Sequence, residues 1–494
     1  MISFKNMSEK QDELRLDMPE ISKSLKPKNE ESISSQKFMK LKLSEYGNCS
    51  SSREGSYLLR RDQKKVWLES YGCAASIADS ELIAGILKNR GFEIATHPNR
   101  ADLSLIVTCS VKDVTEHRMI YRISRLSKSG KPLVVAGCLP KADPTRVQLA
   151  SPHASLLGPN SIDKTAEVVD SAIAGNKMIA LADSISNKTN VPRVRVNPVI
   201  SIVQIATGCM SVCSFCQTKL AKGWLKSYRI GDIVRQVKND IKDGCKEIWL
   251  TSTDNGCYGK DAGSNIVDLL ESCTDIDGQY KIRVGMMNPM FLSPILDRLI
   301  QVFVENEKIF KFLHIPVQSG SERILRKMKR GHTAKTFSDL VASFRTRVPK
   351  ITIATDVIVG FPSETEHDFY ETTELINETQ PDIVNASKYS ARPGTAATVE
   401  KQINTTVVKK RTKQLHHLID MTSRKRNSIW SKWYGEILID EKRGNKVQGR
   451  NYAYKPVVVT GNLNIGTHAF VYISGYTSHV LEGTINFHGV DETA

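Results

Sequence analysis

Cys209-Met210-Ser211-Val212-Cys213-Ser214-Phe215-Cys216 sets three thiols at Cys-x3-Cys-x2-Cys spacing. Iron–sulfur cubanes are ordinarily closed by four thiolates. A triplet with no fourth cysteine beside it can hold three irons and leave the fourth open to a small molecule. The triplet follows an apolar run over 203–206 and the turn Thr207-Gly208, which predicts a loop at a strand's carboxyl end. In (β/α) barrels that end carries the active site. Two other readings suit three cysteines: a zinc site, or unrelated buried thiols. Zinc wants four N/S ligands at paired spacing, and the next cysteine, Cys245, lies beyond a predicted helix.

Outward from this loop, strand and helix patterns alternate six times between 198 and 426. Strands are expected at 202–206, 247–250, 281–284, 310–316, 351–360 and 382–389, with helices such as 230–242 and 364–378 between them. That is a (β/α)6 partial barrel, more open than the eight-fold barrel. Upstream, strands at 66–71, 103–108 and 132–136 alternate with a helix at 79–90, capped by Gly91, and a basic helical stretch to 128. Such repeats build an α/β doubly wound parallel sheet. After 426 the pattern turns to short alternating runs, Ile437-Leu-Ile, Pro456-Val-Val-Val and Ala469-Phe-Val-Tyr-Ile, between Gly and Asn turns. This reads as a small all-β domain of about 60 residues. The expected organisation is an extension over 1–63, an α/β domain over 64–190, the partial barrel over 195–427 and the β domain over 428–490.

Cys73, Cys109 and Cys138 lie 36 and 29 residues apart, and each ends a predicted strand. In a parallel sheet such positions lie side by side at the carboxyl edge, where open α/β folds bind ligands. Convergence of the three thiols is one reading; three separate small buried hydrophobes is the other. Cys49 is read as a tail residue, and Cys245, Cys257 and Cys273 as packing or loop residues.

Composition narrows the partners. The 494 residues carry 69 Lys and Arg against 53 Asp and Glu, a net charge of +16. Strongly basic proteins often bind nucleic acid by neutralising phosphates. Basic residues concentrate at 401–426, eight against one acid, and at 442–455, five against none. No apolar run approaches the roughly 18 residues of a membrane span. Ten cysteines in a chain of this length do not form a secreted disulfide framework, and no signal-peptide pattern opens the sequence. A reducing, cytoplasmic location is the expectation. The first 60 residues hold 12 serines, 11 basic and 9 acidic residues and little apolar periodicity, as disordered extensions do.

The motifs together resemble the radical S-adenosylmethionine (SAM) methylthiotransferases that carry two [4Fe–4S] clusters. The resemblance rests on Ser70-Tyr-Gly-Cys73 with Asp79-Ser-Glu81, Val107-Thr-Cys109-Ser-Val-Lys112, Ala136-Gly-Cys138-Leu-Pro-Lys141, the Cys209–Cys216 loop and Ala221-Lys-Gly223. The β domain looks like a TRAM RNA-binding module. Glu247-Ile-Trp-Leu-Thr-Ser252, Asp254, Tyr258-Gly259, Phe312-Leu-His-Ile-Pro-Val-Gln-Ser-Gly-Ser321 and Arg392-Pro-Gly-Thr395 resemble the archaeal and eukaryotic branch, which acts on N6-threonylcarbamoyladenosine in tRNA.

The resemblance implies two [4Fe–4S] clusters, on Cys209, Cys213 and Cys216 and on Cys73, Cys109 and Cys138, with SAM as second cofactor. It implies radical activation of the adenosine C2–H bond at position 37, sulfur insertion and methyl transfer from SAM. The partners would be the tRNA, an electron donor and a sulfur donor. Asp254, Gln318, Ser319 and Asp356 are expected around SAM. Lys442, Arg443, Lys446, Arg450 and Lys455 are expected on RNA phosphates, and Lys222, Lys226 and Arg392 near the threonylcarbamoyl carboxylate. His314 and the Met286, Met287 and Met290 group are read as core. Ser76 stands where the family usually has Asn, and Thr253 where the branch has an acid. Two other functions use some of the same features: methylthiolation of a ribosomal protein, and a zinc-stabilised RNA-binding module without catalysis.

Overall fold

The structure, a computed structural model, describes residues 41–42, 63–111, 113–184 and 187–485. Apart from Leu41–Lys42 and Gln63, the expected extension over 1–63 lies outside the described residues. The described residues all fall in one compact unit, 38–494.

Lys65–Ser70, Leu103–Thr108, Leu133–Gly137, Ser155–Leu157 and Ile179–Ala180 pair in parallel, in that order. Glu93–Ile94 joins the free side of Lys65–Ser70. The chain therefore runs first to one side of its opening strand and then to the other, the doubly wound order of flavodoxin-like sheets. The switch falls between the ends of Lys65–Ser70 and Leu103–Thr108, where Cys73 and Cys109 follow. Helices Ala74–Asn89 and Thr165–Ile173 bury Leu82, Ile83, Leu87, Val168 and Val169 on one face. Met119, Ile123 and Val147 cover the other. Strands buried on both faces carry continuous apolar runs, as in Leu103-Ser-Leu-Ile-Val-Thr108. The first helix starts at Ala74, five residues before the expected 79, and its first turn already packs Ala75 and Ile77 inward.

Ile200–Gln204, Glu247–Thr251 and Lys281–Val284 form one parallel sheet. Phe312–His314, Thr352–Val359 and Ile383–Lys388 form a second. A parallel bridge from Ile282 to Ile309 joins them, so six strands curve in chain order as a partial barrel. The strand expected over 310–316 shortens to Phe312–His314, since Pro316 has no N–H to give a neighbour. Helix Thr405–Ser428 packs on the last strand. It leads into a closed five-stranded barrel of Tyr434–Arg443, Lys446–Arg450, Pro456–Thr460, Leu481–Ile485 and His468–Tyr476. Trp430, fully buried, plugs that barrel's core with Ile437, Val457 and Val471.

Candidate functional site

Cys73, Cys109 and Cys138 meet at the sheet's switch point. Cys73 opens helix Ala74–Asn89 and Cys138 opens helix Cys138–Ala142. Two glycines bring the loops together. A Cβ on Gly72 (φ +125°) would stand 2.5 Å from Cys109 Cβ, and one on Gly137 (φ +95°) 2.4 Å from the Thr108 carbonyl. The Cys109 thiol donates a hydrogen bond to the Cys73 sulfur, holding Cys73 well below and Cys109 well above the usual thiol range. Burial pushes Cys138 up to about 11. Three thiols this close cannot all ionise unless a cation neutralises them. Ser76 Oγ lies 3.7 Å from Cys73 Sγ, so the departure from Asn keeps a polar contact on that sulfur.

The second triad sits on the loop that follows strand Ile200–Gln204. Ser211 N–H donates to Cys209 Sγ at 3.3 Å and Arg330 Nη1 to Cys213 Sγ at 3.4 Å. Cys209 Sγ, an Asp254 oxygen and Cys257 Sγ, all on buried residues, lie within 4.8 Å of one another. A hydrogen bond from Cys257 lowers the Cys209 thiol to about 6, against its burial. Burial and the Cys209 charge lift Asp254 to about 7, although the N–H groups of Gly256 and Asn288 donate to its carboxylate, each at 3.0 Å. Both triads offer three sulfurs, the donor set of an iron–sulfur cluster with one open iron. The buried Thr253 hydroxyl and Arg330 Nε beside the second triad have no hydrogen-bond partner among the described residues, polar atoms that a cofactor there would satisfy. The residues present thus fit the clusters and SAM.

A cavity of about 210 Å³ is lined by Asn160, Asp183, Lys188, Lys222, Trp224 and Lys226 among others, and by none of the six cysteines. Helix Thr218–Lys222 packs on helix Cys138–Ala142, which carries Lys222 to the N-terminal thiols. The Cys209 N–H donates to the Gly223 carbonyl at 3.3 Å, which ties the same segment to the second triad. Burial opposes charge on Lys222, but Cys138, Asp79, Cys73 and Cys109 outweigh it and raise the ammonium above its usual range. No hydrogen bond or ion pair of that ammonium is recorded among the described residues.

Two family models match the chain: Uncharacterized protein family UPF0004 over residues 65–158 and the Radical SAM superfamily over 203–376. A "Probable threonylcarbamoyladenosine tRNA methylthiotransferase" of Pyrococcus abyssi is 40% identical over 426 residues, 85% of this chain and 99% of the relative. The chain belongs to the threonylcarbamoyladenosine tRNA methylthiotransferase family. The human "Threonylcarbamoyladenosine tRNA methylthiotransferase" is 34% identical over 81% of this chain and 70% of its own length. Among solved structures, the radical SAM methyltransferase TsrM of Kitasatospora setae shares the fold at TM-score 0.51 and 13% identity, over 68% of this chain and 77% of that one. The ribosomal-protein and zinc-module readings gain no support from these relatives. As a family member the chain is an enzyme that uses SAM and an iron–sulfur cluster, and none of its described helices is long and apolar enough to cross a membrane.

Not every expected residue lies where the resemblance put it. Asp254 does stand beside Cys209. Asp356 Oδ2 is 2.8 Å from His314 Nε2, and its Oδ1 accepts from Asn385 at 2.9 Å. His314, discounted as core, is thus part of a polar group across three barrel strands. Gln318, at φ +76°, bonds through its backbone to the strand of Asp356. Ser319 is fully buried with its hydroxyl 3.3 Å from that of Thr372, on helix Glu366–Thr379. Its side chain fastens the outer helix and is spent there.

The β-barrel cations also divide. Lys455 Nζ is buried against Asp382, and Arg450 Nε donates to Asp440 at 2.9 Å with its guanidinium 4.7 Å over Tyr454. Neither is free for phosphate, a correction to the expected RNA set. Arg443 pairs with Glu441 at the surface. Lys442 and Lys446 remain exposed. Arg392 is buried, its guanidinium on Glu116, which Arg146 also grips, so its charge is already neutralised. Lys188, Trp224 and the exposed stacked pair Tyr434 and Phe470, 5.7 Å apart, were not singled out by sequence reading. Only the neighbouring lysines hinted at Trp224.

Proposed function

We propose that this chain converts N6-threonylcarbamoyladenosine at position 37 of tRNA to its 2-methylthio derivative, using two [4Fe–4S] clusters. The observation that carries the reading is the lysine-lined cavity bounded by one segment, Thr218 to Tyr228, that touches both cysteine triads. When bound, the clusters and SAM supply the electron, radical, sulfur and methyl chemistry.

The protein's own part is placement. Cys209, Cys213 and Cys216 would hold one cluster, with Arg330 donating to the Cys213 sulfur and Asp254 beside Cys209. Cys73, Cys109 and Cys138 would hold the other, with Lys222 offsetting their negative charge. A buried ammonium that lines a cavity also suits a carboxylate, since charge-assisted hydrogen bonds are the stronger ones. Lys222 and Lys226 would therefore read the threonylcarbamoyl group, while Arg392 instead fixes the α/β domain to the barrel through Glu116. Asp356 and His314 would position groups inside the partial barrel. Phosphates would meet Lys442 and Lys446, together with the exposed Lys409, Lys410 and Lys413 of helix Thr405–Ser428.

This divides the work among 64–190, 195–427 and 428–490. An electron donor and a sulfur donor complete the reaction, which we place in the cytoplasm. The test is a reconstituted reaction on matched tRNAs that differ only in the threonylcarbamoyl group, read by mass spectrometry of the nucleosides. Product from the modified tRNA alone supports the reading. Equal turnover on both, or preference for an isopentenyl-bearing tRNA, overturns it.

A further inference from the structure

Trp224 has no part in that account, yet it is the most exposed of the chain's described tryptophans, at 68%. It lines the cavity beside Lys222 and Lys226. The indole is nevertheless held in place. The Lys219 ammonium sits 3.4 Å from its centroid and also donates to the Cys209 carbonyl. At its main chain, Gly208 (φ +71°) lies so close that a Cβ would meet the Trp224 carbonyl at 1.9 Å. The Trp224 backbone is thereby held against the loop of the second triad, and Lys219 covers one face of the ring. No second aromatic ring is recorded against it among the described residues.

A flat apolar surface left in water is unfavourable unless something covers it. The charge around this one selects the cover. Lys219, Lys222 and Lys226 follow one another along the same segment, and Lys222 and Lys226 line the cavity; Lys188 lines it too but is paired with Asp79 at 2.6 Å. Aromatic faces flanked by cations are the platforms on which single-stranded nucleic acids stack. An anticodon loop offers such unstacked bases, and sequence-specific RNA recognition splays them out against aromatic side chains.

We infer that Trp224 stacks on the base adjoining the adenosine that is modified and so holds the loop open over the cavity. The inference rests on the tRNA substrate proposed above. It makes Trp224 a positioning residue, acting through the neighbouring nucleotide rather than on the reacting carbon.

The test uses the reconstituted enzyme and an anticodon stem-loop RNA that carries threonylcarbamoyladenosine, with 2-aminopurine replacing the 5′ or the 3′ neighbour in turn. Stacking on the indole should quench 2-aminopurine emission at one of the two positions. Trp224→Ala should abolish that quenching and weaken binding roughly tenfold, whereas Trp224→Phe should stay within about threefold of wild type. The salt dependence of binding should be the same in all three proteins, because no phosphate contact is removed. Equal quenching by Trp224→Ala, or tight binding without quenching at either position, overturns the inference and leaves the substrate reading intact. Failure of the wild-type enzyme to bind this RNA overturns both. A Trp224→Ala enzyme that binds RNA normally but loses affinity for a protein reductant also overturns it, and assigns the ring to a protein surface.

Discussion

Lys455 Nζ lies 3.0 Å from Asp382 Oδ1, with both side chains buried. The C-terminal barrel is thus bonded to the residue that precedes the last strand of the central one. Asp382 also accepts from Arg426 Nε at 3.3 Å and from Ile353 N–H at 3.0 Å, and Asn427 Oδ1 accepts from Lys455 at 2.8 Å. These partners hold the Asp382 carboxyl below its usual range against its burial. Breaking a buried pair strands a charge, so Lys455→Ala should destabilise the fold by about 3 kcal/mol. Denaturant unfolding measures this, and the salt dependence of tRNA binding should not change.

The double variant Lys442→Ala/Lys446→Ala should act in the opposite sense. Both side chains are exposed, so stability should hold while the salt slope of tRNA binding flattens by about two counterions. An unchanged slope would move the RNA contact to helix Thr405–Ser428.

The two triads should separate in mutagenesis. On the proposed assignment, Cys213→Ala would remove a ligand of the SAM-facing site and should abolish SAM cleavage. Cys109→Ala should retain slow cleavage, lose about half the bound iron and make no methylthio product. Iron analysis and nucleoside mass spectrometry read the pair. Methylthiolated product from the Cys109 variant would contradict the assignment.

Lys222→Met should erode discrimination. Leaving a substrate carboxylate unpaired costs roughly 1–3 kcal/mol, so the preference for threonylcarbamoyl-bearing tRNA should fall by about tenfold to a hundredfold. The ratio of kcat/KM on matched tRNAs measures it, with each enzyme normalised to its iron content.

Glu81 gives a pH signature. Burial pushes its carboxyl from 4.5 up to about 7, against the hydrogen bond from Val196 N–H. Folding favours its protonated form. That contribution is complete below pH 4.5 and is lost as pH rises through about 7, a change of about 3 kcal/mol. Glu81→Gln should flatten this segment of the stability profile in thermal melts at stepped pH.

What the sequence disclosed, it disclosed through period and spacing. Lys281–Val284 and helix Ile230–Lys242 match their expected bounds because apolar runs and helical faces mark them directly. The local triplet announces itself, and the distant triad is legible because each cysteine ends a strand. Ser155–Leu157 and Ile179–Ala180 escaped notice, being only 3 and 2 residues long. Charge was the poorer guide. Arg450, Lys455 and Arg392 read as cations available to the RNA because their partners Asp440, Asp382 and Glu116 are distant in sequence or belong to another element. Only the folded chain shows which cations are already matched.

The two triads differ in how much of the chain must be in place before they exist. Cys209, Cys213 and Cys216 occupy one short loop, so these three thiols are neighbours even in the unfolded chain. Cys73, Cys109 and Cys138 come from the ends of three separate strands, and they become neighbours only after the sheet has closed around its switch point. Ligation at a site that is absent from the unfolded chain is coupled to folding. A metal group on the N-terminal triad would therefore depend on that sheet's folding, whereas the local loop keeps its three donors together without it.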